Sequence, residues 1–285
     1  MRLCRFDGNR LGVVEGDSLR DVTAVTEALP SLRWPLPPGD LLIANLPALL
    51  PRITAMAAGA PVLPLAGVRI ESPVANPNKI IAAPVNYQKH IDESRADAGI
   101  NFGTDVKAID HYGVFLKANS SLNGPSVEVP VARPERRTDH EIELAVIIGA
   151  GGYRIPEASA LDHVAGYAIG LDMTIRGTED RSYRKSLDGF TVLGPWLVTP
   201  DEVPDPDNLD FRIRVGGQTR QESNTRYLIF GVRKLIAYAS AAYTLYPGDI
   251  ILTGTPEGVG PVMPGDSMQC WIERIGEMTV GVRAG

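Results

Sequence analysis

The segment Asp139-His140-Glu141-Ile142-Glu143-Leu144-Ala145-Val146 sets two carboxylates two residues apart within an aliphatic stretch. Read as a strand, it sends Glu141 and Glu143 to one face and Ile142, Leu144 and Val146 into the core. Like charges side by side repel unless a cation lies between them. A second strand-like segment, 167–171, ends in Asp172. Three carboxylates converging from two strands make an oxygen-only site, suited to Mg²⁺, Mn²⁺ or Ca²⁺ rather than to zinc. Glu-x-Glu by itself is equally the pattern of a solvated strand face, and spacing alone leaves both readings open.

His90 and Glu93 form a second constellation. Three-residue spacing on a helix places them on one face, where the carboxylate can orient the imidazole as a general base; an ordinary surface helix shows the same spacing. Of the other histidines, His140 falls on the opposite face of the carboxylate strand, and His163 closes a short helix, where it packs. His111 stands as an alternative base. Gly149-Ala150-Gly151-Gly152 lacks the G-x-G-x-x-G fingerprint, and the run from Gly254 to Gly260 lacks a P-loop lysine, so nucleotide binding is disfavoured. That second run can still offer Thr255 and backbone N–H groups to a small anion. No G-x-S-x-G elbow, HExxH or paired CxxC occurs, which disfavours serine hydrolases and zincins.

Several elements must position these groups. Turn signals at Asp7-Gly8 and Glu15-Gly16 predict a small meander. Residues 41–58 are apolar enough for a buried helix that Pro47 and Pro51 should break or cap. The turn-rich text around residues 70–78 marks a boundary between a small N-terminal domain, 1–72, and a larger one, 73–285. Residues 79–85 read as a buried strand, 87–98 as a helix, and the glycine-punctuated stretch that follows as a lid over 94–112. Pro156 should open a short helix at its first turn. Gly216-Gly217 predicts a hairpin. The helix expected over 227–245 is capped by Asn224 or Thr225 and ended by Pro247-Gly248. Strands follow at 249–253 and 267–282, the latter folding about Ile275-Gly276-Glu277. The fold class is strand-rich α+β, without the regular alternation of a doubly wound sheet.

Composition limits the partners. The 285 residues carry 28 Lys plus Arg against 34 Asp plus Glu, a net charge of −6, which argues against a non-specific nucleic-acid or anionic-membrane binder. No apolar run is long enough to span a bilayer, and the N-terminus lacks the apolar core of a secretory signal. Two distant cysteines, Cys4 and Cys270, make no disulfide framework, so a reducing cytoplasm is the expected location.

Taken together, the motifs resemble the fumarylacetoacetate hydrolase family. They run in order as NYQKHIDE, then Phe115-Leu116-Lys117 with Ser120-Ser121, then DHEIELAVIIG and GYAIGLDMTIRG. Arg184-Lys185-Ser186-Leu187-Asp188-Gly189 with Leu193-Gly194-Pro195, SNT, and LYPGDIILTGTPEGVGPVMPGD complete the series. The likeness spans residue 79 to the C-terminus; the N-terminal residues match only in general character. It implies a mixed β-roll catalytic domain, a homodimer, and a divalent metal, usually Mg²⁺, on Glu141, Glu143 and Asp172. It also implies a His90–Glu93 dyad on a lid that orders over substrate. Arg176 and Lys185 fall where the family contacts substrate or intermediate, Thr255 where it holds a carboxylate or oxo group, and Lys117 is a weaker correspondence. Glu179 stands where many relatives carry an amide, and an acid there is expected to disfavour a second anionic group on the substrate.

The implied chemistry is hydrolysis of a C–C bond in a β-diketo acid of the acylpyruvate or fumarylacetoacetate type, as in aromatic catabolism. The same site serves 2-oxo acid decarboxylases and hydroxy-dienoate isomerases in the family, so those activities are the alternatives. A non-catalytic ligand-binding relative is the remote one, since every expected polar position is filled. Aliphatic and aromatic acyl groups fit the sequence equally.

Overall fold

The computed structural model describes residues 1–285. Its frame is a 12-stranded sheet with strand Ile142–Ile148 near the middle. That strand runs antiparallel to Val164–Asp172 on one edge and to Ile250–Leu252 on the other. All seven of its residues are buried. A strand covered on both faces needs apolar side chains in nearly every position, which is how 144–148 reads.

Beyond Ile250–Leu252 the sheet continues through Ile80–Ala82, paired parallel, to Phe115–Lys117. In the other direction it passes through Thr191–Val198 to Arg2–Phe6, with Arg2 opposite Val198, and then to the meander Arg10–Glu15, Ser18–Asp21 and Val62–Pro64. The N-terminal strands thus extend the same sheet that carries the carboxylates.

The two faces of this sheet are buried differently. Ile142, Leu144, Val146 and Ile148 pack toward a second, five-stranded sheet whose members include Asp210–Val215 and Ser267–Ile272. Ala145 and Ile147 face helix Leu41–Ala57, which contributes Ile43, Leu46, Leu49 and Ile53. Burying each of these four is worth about 1.5–3 kcal/mol. By strand alternation Glu141 and Glu143 share the face of Ala145, so that face is covered too.

Three local expectations are corrected. Pro47 and Pro51 do not interrupt helix Leu41–Ala57, which runs through both. They sit four residues apart on its exposed side, so both rings meet solvent while the opposite face, Ile43, Leu46, Leu49 and Ile53, stays packed on the sheet. The helix expected over 227–245 spans only Val232–Ala242. Asn224 does cap, but it caps a 3₁₀ turn at Thr225–Tyr227 by accepting from the Arg226 N–H at 2.8 Å. Leu228 meanwhile bridges to Tyr87 as extended chain. Pro156 precedes the first turn of a 3₁₀ helix, Glu157–His163, instead of occupying it. The lid region holds two single-turn helices, Ala98–Asn101 and Ile109–Tyr112. No helix is long and apolar enough to cross a membrane.

Candidate active site

The backbone brings the three carboxylates together. Glu143 lies opposite Gly170 across the central hairpin, and the Asp172 N–H donates to the Glu141 carbonyl at 2.9 Å. One oxygen from each of Glu141, Glu143 and Asp172 falls within 4.8 Å of the others, and all three side chains are buried. This excludes the solvated-face reading of Glu-x-Glu.

Each carboxylate meets different partners. Glu141 accepts from Arg176 Nη2 at 3.0 Å and from Lys185 Nζ at 2.6 Å. Burial alone would raise its pKa, but Lys185 and Arg176 outweigh that and hold it well below the ordinary carboxylate range. Asp172 accepts from Lys185 Nζ at 2.7 Å and, on its other oxygen, from Lys117. Glu143 accepts only the Gly254 N–H, at 2.6 Å. Burial, with Asp172 and Glu141 beside it, pushes Glu143 well above its usual value. Gly254 can make that contact because its φ is +99° and a Cβ there would lie 2.7 Å from Cβ of Asn86. The cluster is short of positive charge at Glu143, and three buried oxygen donors of this kind suit a divalent cation of the Mg²⁺ or Mn²⁺ class.

The dyad sits on helix Gln88–Ala96. Asn86 fastens the start of this helix. Its amide donates to the carbonyls of Phe230 at 2.9 Å and Thr253 at 2.8 Å, and its oxygen accepts the Phe230 N–H at 2.8 Å. His90 Nδ1 and Glu93 Oε2 are 3.0 Å apart, and Glu93 Oε1 accepts the Gly258 N–H at 2.8 Å. With Nδ1 committed to a carboxylate, Nε2 is the nitrogen available to a water. His90, Glu141, Glu143, Arg176, Lys185 and Thr255 all line one cavity of about 320 Å³.

Other predicted residues take less direct positions. Lys117 does not line the cavity: it stands behind Asp172 and donates to the Phe190 carbonyl at 3.0 Å. Its burial lowers its pKa against the pull of Asp172. The Thr255 hydroxyl donates to the Ile142 carbonyl at 2.8 Å and accepts from Gln221 Nε2 at 2.8 Å. Glu179 reaches the cavity wall but gives both oxygens to Arg136, each at 2.8 Å. Its charge is therefore matched locally, and the expectation that it repels a second anion loses its basis. His111 is exposed and packs edge-on against Tyr112, away from the cavity. His140 is buried beside Gln221 Oε1, Nδ1 at 3.2 Å, on the far side of the strand. Cys4 and Cys270 are buried free thiols.

Sequence reasoning missed a chain of charges behind the site. Asp97, on the lid, accepts from Arg137 Nη1 at 2.9 Å, and Arg137 Nε donates to Asp139 at 2.7 Å. Asp139 in turn accepts from Arg176 Nε at 2.8 Å, and Arg176 reaches Glu141. Asp139 lies in the quoted DHEIE motif, but only tertiary packing shows that its side chain is buried against two arginines. Arg181 and Tyr112, which also line the cavity, carried no pattern at all, and Arg184, though part of a quoted motif, was given no role of its own.

Residues 79–283 match the C-terminal domain of fumarylacetoacetate hydrolase. Maleylpyruvate hydrolase of Aquipseudomonas alcaligenes is 53% identical over 286 residues, covering 100% of both chains. The crystal structure of maleylpyruvate hydrolase from Sphingobium sp. SYK-6 in complex with manganese(II) and pyruvate is similar with a TM-score of 0.85. It is 43% identical and also covers 100% of both chains. A mitochondrial oxaloacetate tautomerase of Homo sapiens is 40% identical over 235 residues, 78% of this chain and 72% of that one. The chain belongs to the fumarylacetoacetate hydrolase family, and its strand-rich α+β fold is that of the family's maleylpyruvate hydrolase structures.

Proposed function

We propose that this chain is a hydrolase of carbon–carbon bonds that converts an acylpyruvate of the maleylpyruvate type to pyruvate and a carboxylic acid. The observation that carries this reading is the placement of His90, held by Glu93, on the same cavity as Glu141 and Glu143. A base without the carboxylates would suit many hydrolases, and the carboxylates without a base would suit an isomerase.

Glu141, Glu143 and Asp172 are the residues that would hold a divalent cation, Mg²⁺ in the reading preferred here. Such a cation supplies Lewis acidity toward the 2-oxo acid end of the substrate and offsets negative charge as the C–C bond breaks. Glu93 fixes the tautomer of His90, and His90 Nε2 takes a proton from water. The hydroxide adds to the carbonyl of the acyl group; the bond to the neighbouring CH₂ breaks, and its electron pair passes to the pyruvate half. Return of the proton to that carbon completes pyruvate, and the acyl half leaves as a carboxylate. Lys185 keeps an ammonium within 2.7 Å of both Glu141 and Asp172, where negative charge accumulates. Arg176 holds Glu141 in place, and Thr255 forms fixed wall. We assign the division 1–72 and 73–285, a homodimer and a cytoplasmic location to the same reading. The start of the family match at residue 79 supports the division, against which stands the continuity of the N-terminal strands with the catalytic sheet, and the two buried free thiols support the location.

The test is loss of enol-diketone absorbance from maleylpyruvate, fumarylpyruvate and acetylpyruvate with Mg²⁺ or Mn²⁺, with pyruvate quantified in parallel. Expected is metal-dependent cleavage, one pyruvate per diketone, that disappears in Glu141→Ala and His90→Ala proteins. Pyruvate from oxaloacetate alone would make the chain a decarboxylase. Keto–enol exchange of oxaloacetate without cleavage would make it a tautomerase.

A further inference from the structure

We propose that Arg181 and Arg184 form the subsite for a second carboxylate, the one at the acyl end of the substrate. The inference rests on the acylpyruvate reading and names which acylpyruvates the cavity selects. Most charged groups on the cavity wall are already matched. Lys185 and Arg176 are spent on Glu141, Asp172 and Asp139. Glu179 is spent on Arg136, and one oxygen of Asp180 accepts from the Ser182 N–H and hydroxyl at 2.8 and 2.7 Å. Arg181 and Arg184 line the same cavity, and neither forms an ion pair with any carboxylate. They are three residues apart on the single turn Arg181–Arg184, so both guanidinium groups rise from one side.

Each is held rather than free to swing into solvent. Arg184 Nε donates to the Glu179 carbonyl at 2.8 Å and Nη1 to the Ile175 carbonyl at 3.3 Å, which leaves Nη2 without a partner. Half-buried beside Arg176 and Arg181, it has its pKa lowered, first by burial and then by those neighbours. The Arg181 guanidinium lies over the Tyr112 ring, 4.1 Å from its centre, and Tyr112 Oη accepts the Lys107 N–H at 3.1 Å within the lid. Two oriented guanidinium groups without a carboxylate partner, Arg184 offering Nη2 and Arg181 its open fork, are a receptor for a carboxylate in a cavity. The carboxylate trio addresses the 2-oxo acid end, so this pair is left for the other end. The ligand class is a 2-oxo acid whose tail ends in a carboxylate.

The experiment compares wild type, Arg184→Met, Arg184→Lys and Arg181→Met on fumarylpyruvate, which has the second carboxylate, and acetylpyruvate, which does not. Expected is a fall of about 10–100-fold in the ratio of kcat/KM values, fumarylpyruvate over acetylpyruvate, in the Met variants, the worth of a charge-assisted hydrogen bond. Arg184→Lys should recover part of it. Calorimetry with the Mn²⁺-loaded proteins adds a readout independent of turnover, using 2-oxoadipate and 2-oxohexanoate, equal in length and different in the terminal carboxylate. Tighter binding of 2-oxoadipate by wild type, lost in Arg184→Met, supports the subsite even if no acylpyruvate is cleaved, an outcome that would sink the hydrolase reading alone. Equal binding of the two acids by wild type overturns the subsite. So does an equal fall on both substrates, which would assign the arginines to the shared 2-oxo acid end.

Discussion

Strand Ile142–Ile148 has a hydrogen-bonded neighbour on each edge and packed side chains on each face. The lid segment, 94–112, joins no sheet and consists largely of single turns; apart from Ile109, buried with Ala83, Phe230 and Leu235, it is tied down by a few polar contacts. Asp97 caps one turn by accepting the Gly99 N–H at 2.8 Å, the Asn101 amide bonds the Ser94 and Arg95 carbonyls at 3.0 Å each, and Arg95 Nε donates to the Val106 carbonyl at 3.0 Å. The groups proposed to be catalytic are divided between these two kinds of structure. Like-charged carboxylates need the stiff one, because their separation is unfavourable by itself and must be imposed by backbone pairing. The base lies at the joint, on a helix anchored to the sheet at Asn86 and running out into the lid. The chain Asp97–Arg137–Asp139–Arg176–Glu141 joins the two regions through alternating charge.

The contrast can be broken most strongly from the rigid side. Glu143→Ala should lower kcat/KM on the order of 10³-fold or more, the several kcal/mol that a Lewis acid contributes. Calorimetry should show loss of Mn²⁺ binding, with the circular dichroism spectrum unchanged. His90→Gln, at the joint, should reduce kcat by about 10²–10³-fold, within the range for general base catalysis, while Mn²⁺ affinity stays at the wild-type value. A parallel loss of metal binding would show that the base and the carboxylates are not separable.

Smaller effects are expected from the lid. Asp97→Asn should raise KM several-fold with kcat nearly preserved and speed proteolytic cleavage within 94–112. A like fall in kcat would mean that the charge chain reaches the chemistry itself. The same contact has a pH signature. The hydrogen bond from Arg137 holds Asp97 below its ordinary value. Its stabilisation is therefore complete above the unfolded value of about 3.9 and is lost as pH falls through the lower folded value. Lid amide exchange, corrected for its intrinsic pH dependence, should accelerate only at the acid end of that window. Least visible is the behaviour of the buried thiols. Burial pushes Cys4 up to about 12, and Cys270 is likewise raised. Neither should react with a thiol reagent at pH 8 until the protein is unfolded.

The division also explains what could be read from the sequence. Glu141, Glu143 and Asp172 were legible because strand alternation fixes a face whatever packs on it. His90 and Glu93 were legible because helical spacing does the same. Pro47 and Pro51 misled because both rings lie on the solvent side of a helix whose other face is held by packing on the sheet, a tertiary support that the local rule leaves out. The first turn expected at 227–231 misled because Leu228 is drawn into a bridge with Tyr87, a tertiary demand that overrides local helical character. The roles of Asp139, Gln221 and Arg181 went unread because each meets a partner distant in sequence, which no local period encodes; that of Arg184 went unread because its contacts are to the nearby backbone carbonyls of Ile175 and Glu179, which no side-chain pattern records.

The strand order carries a meaning in time as well as in space. Ile142–Ile148 pairs on one side with a segment that follows it closely and on the other with Ile250–Leu252, which in turn pairs with Ile80–Ala82. Asn86 hangs on Thr253, Glu143 on Gly254 and Glu93 on Gly258. As the chain leaves the ribosome, Asn86, Glu93 and Glu143 are translated well before the residues at 253–258 that hold them. The site is complete only once 250–258 is in place, its strand lying between Ile80–Ala82 and Ile142–Ile148. Such non-local pairing makes for slow folding, and it ties assembly of the site to the meeting of segments far apart in the chain.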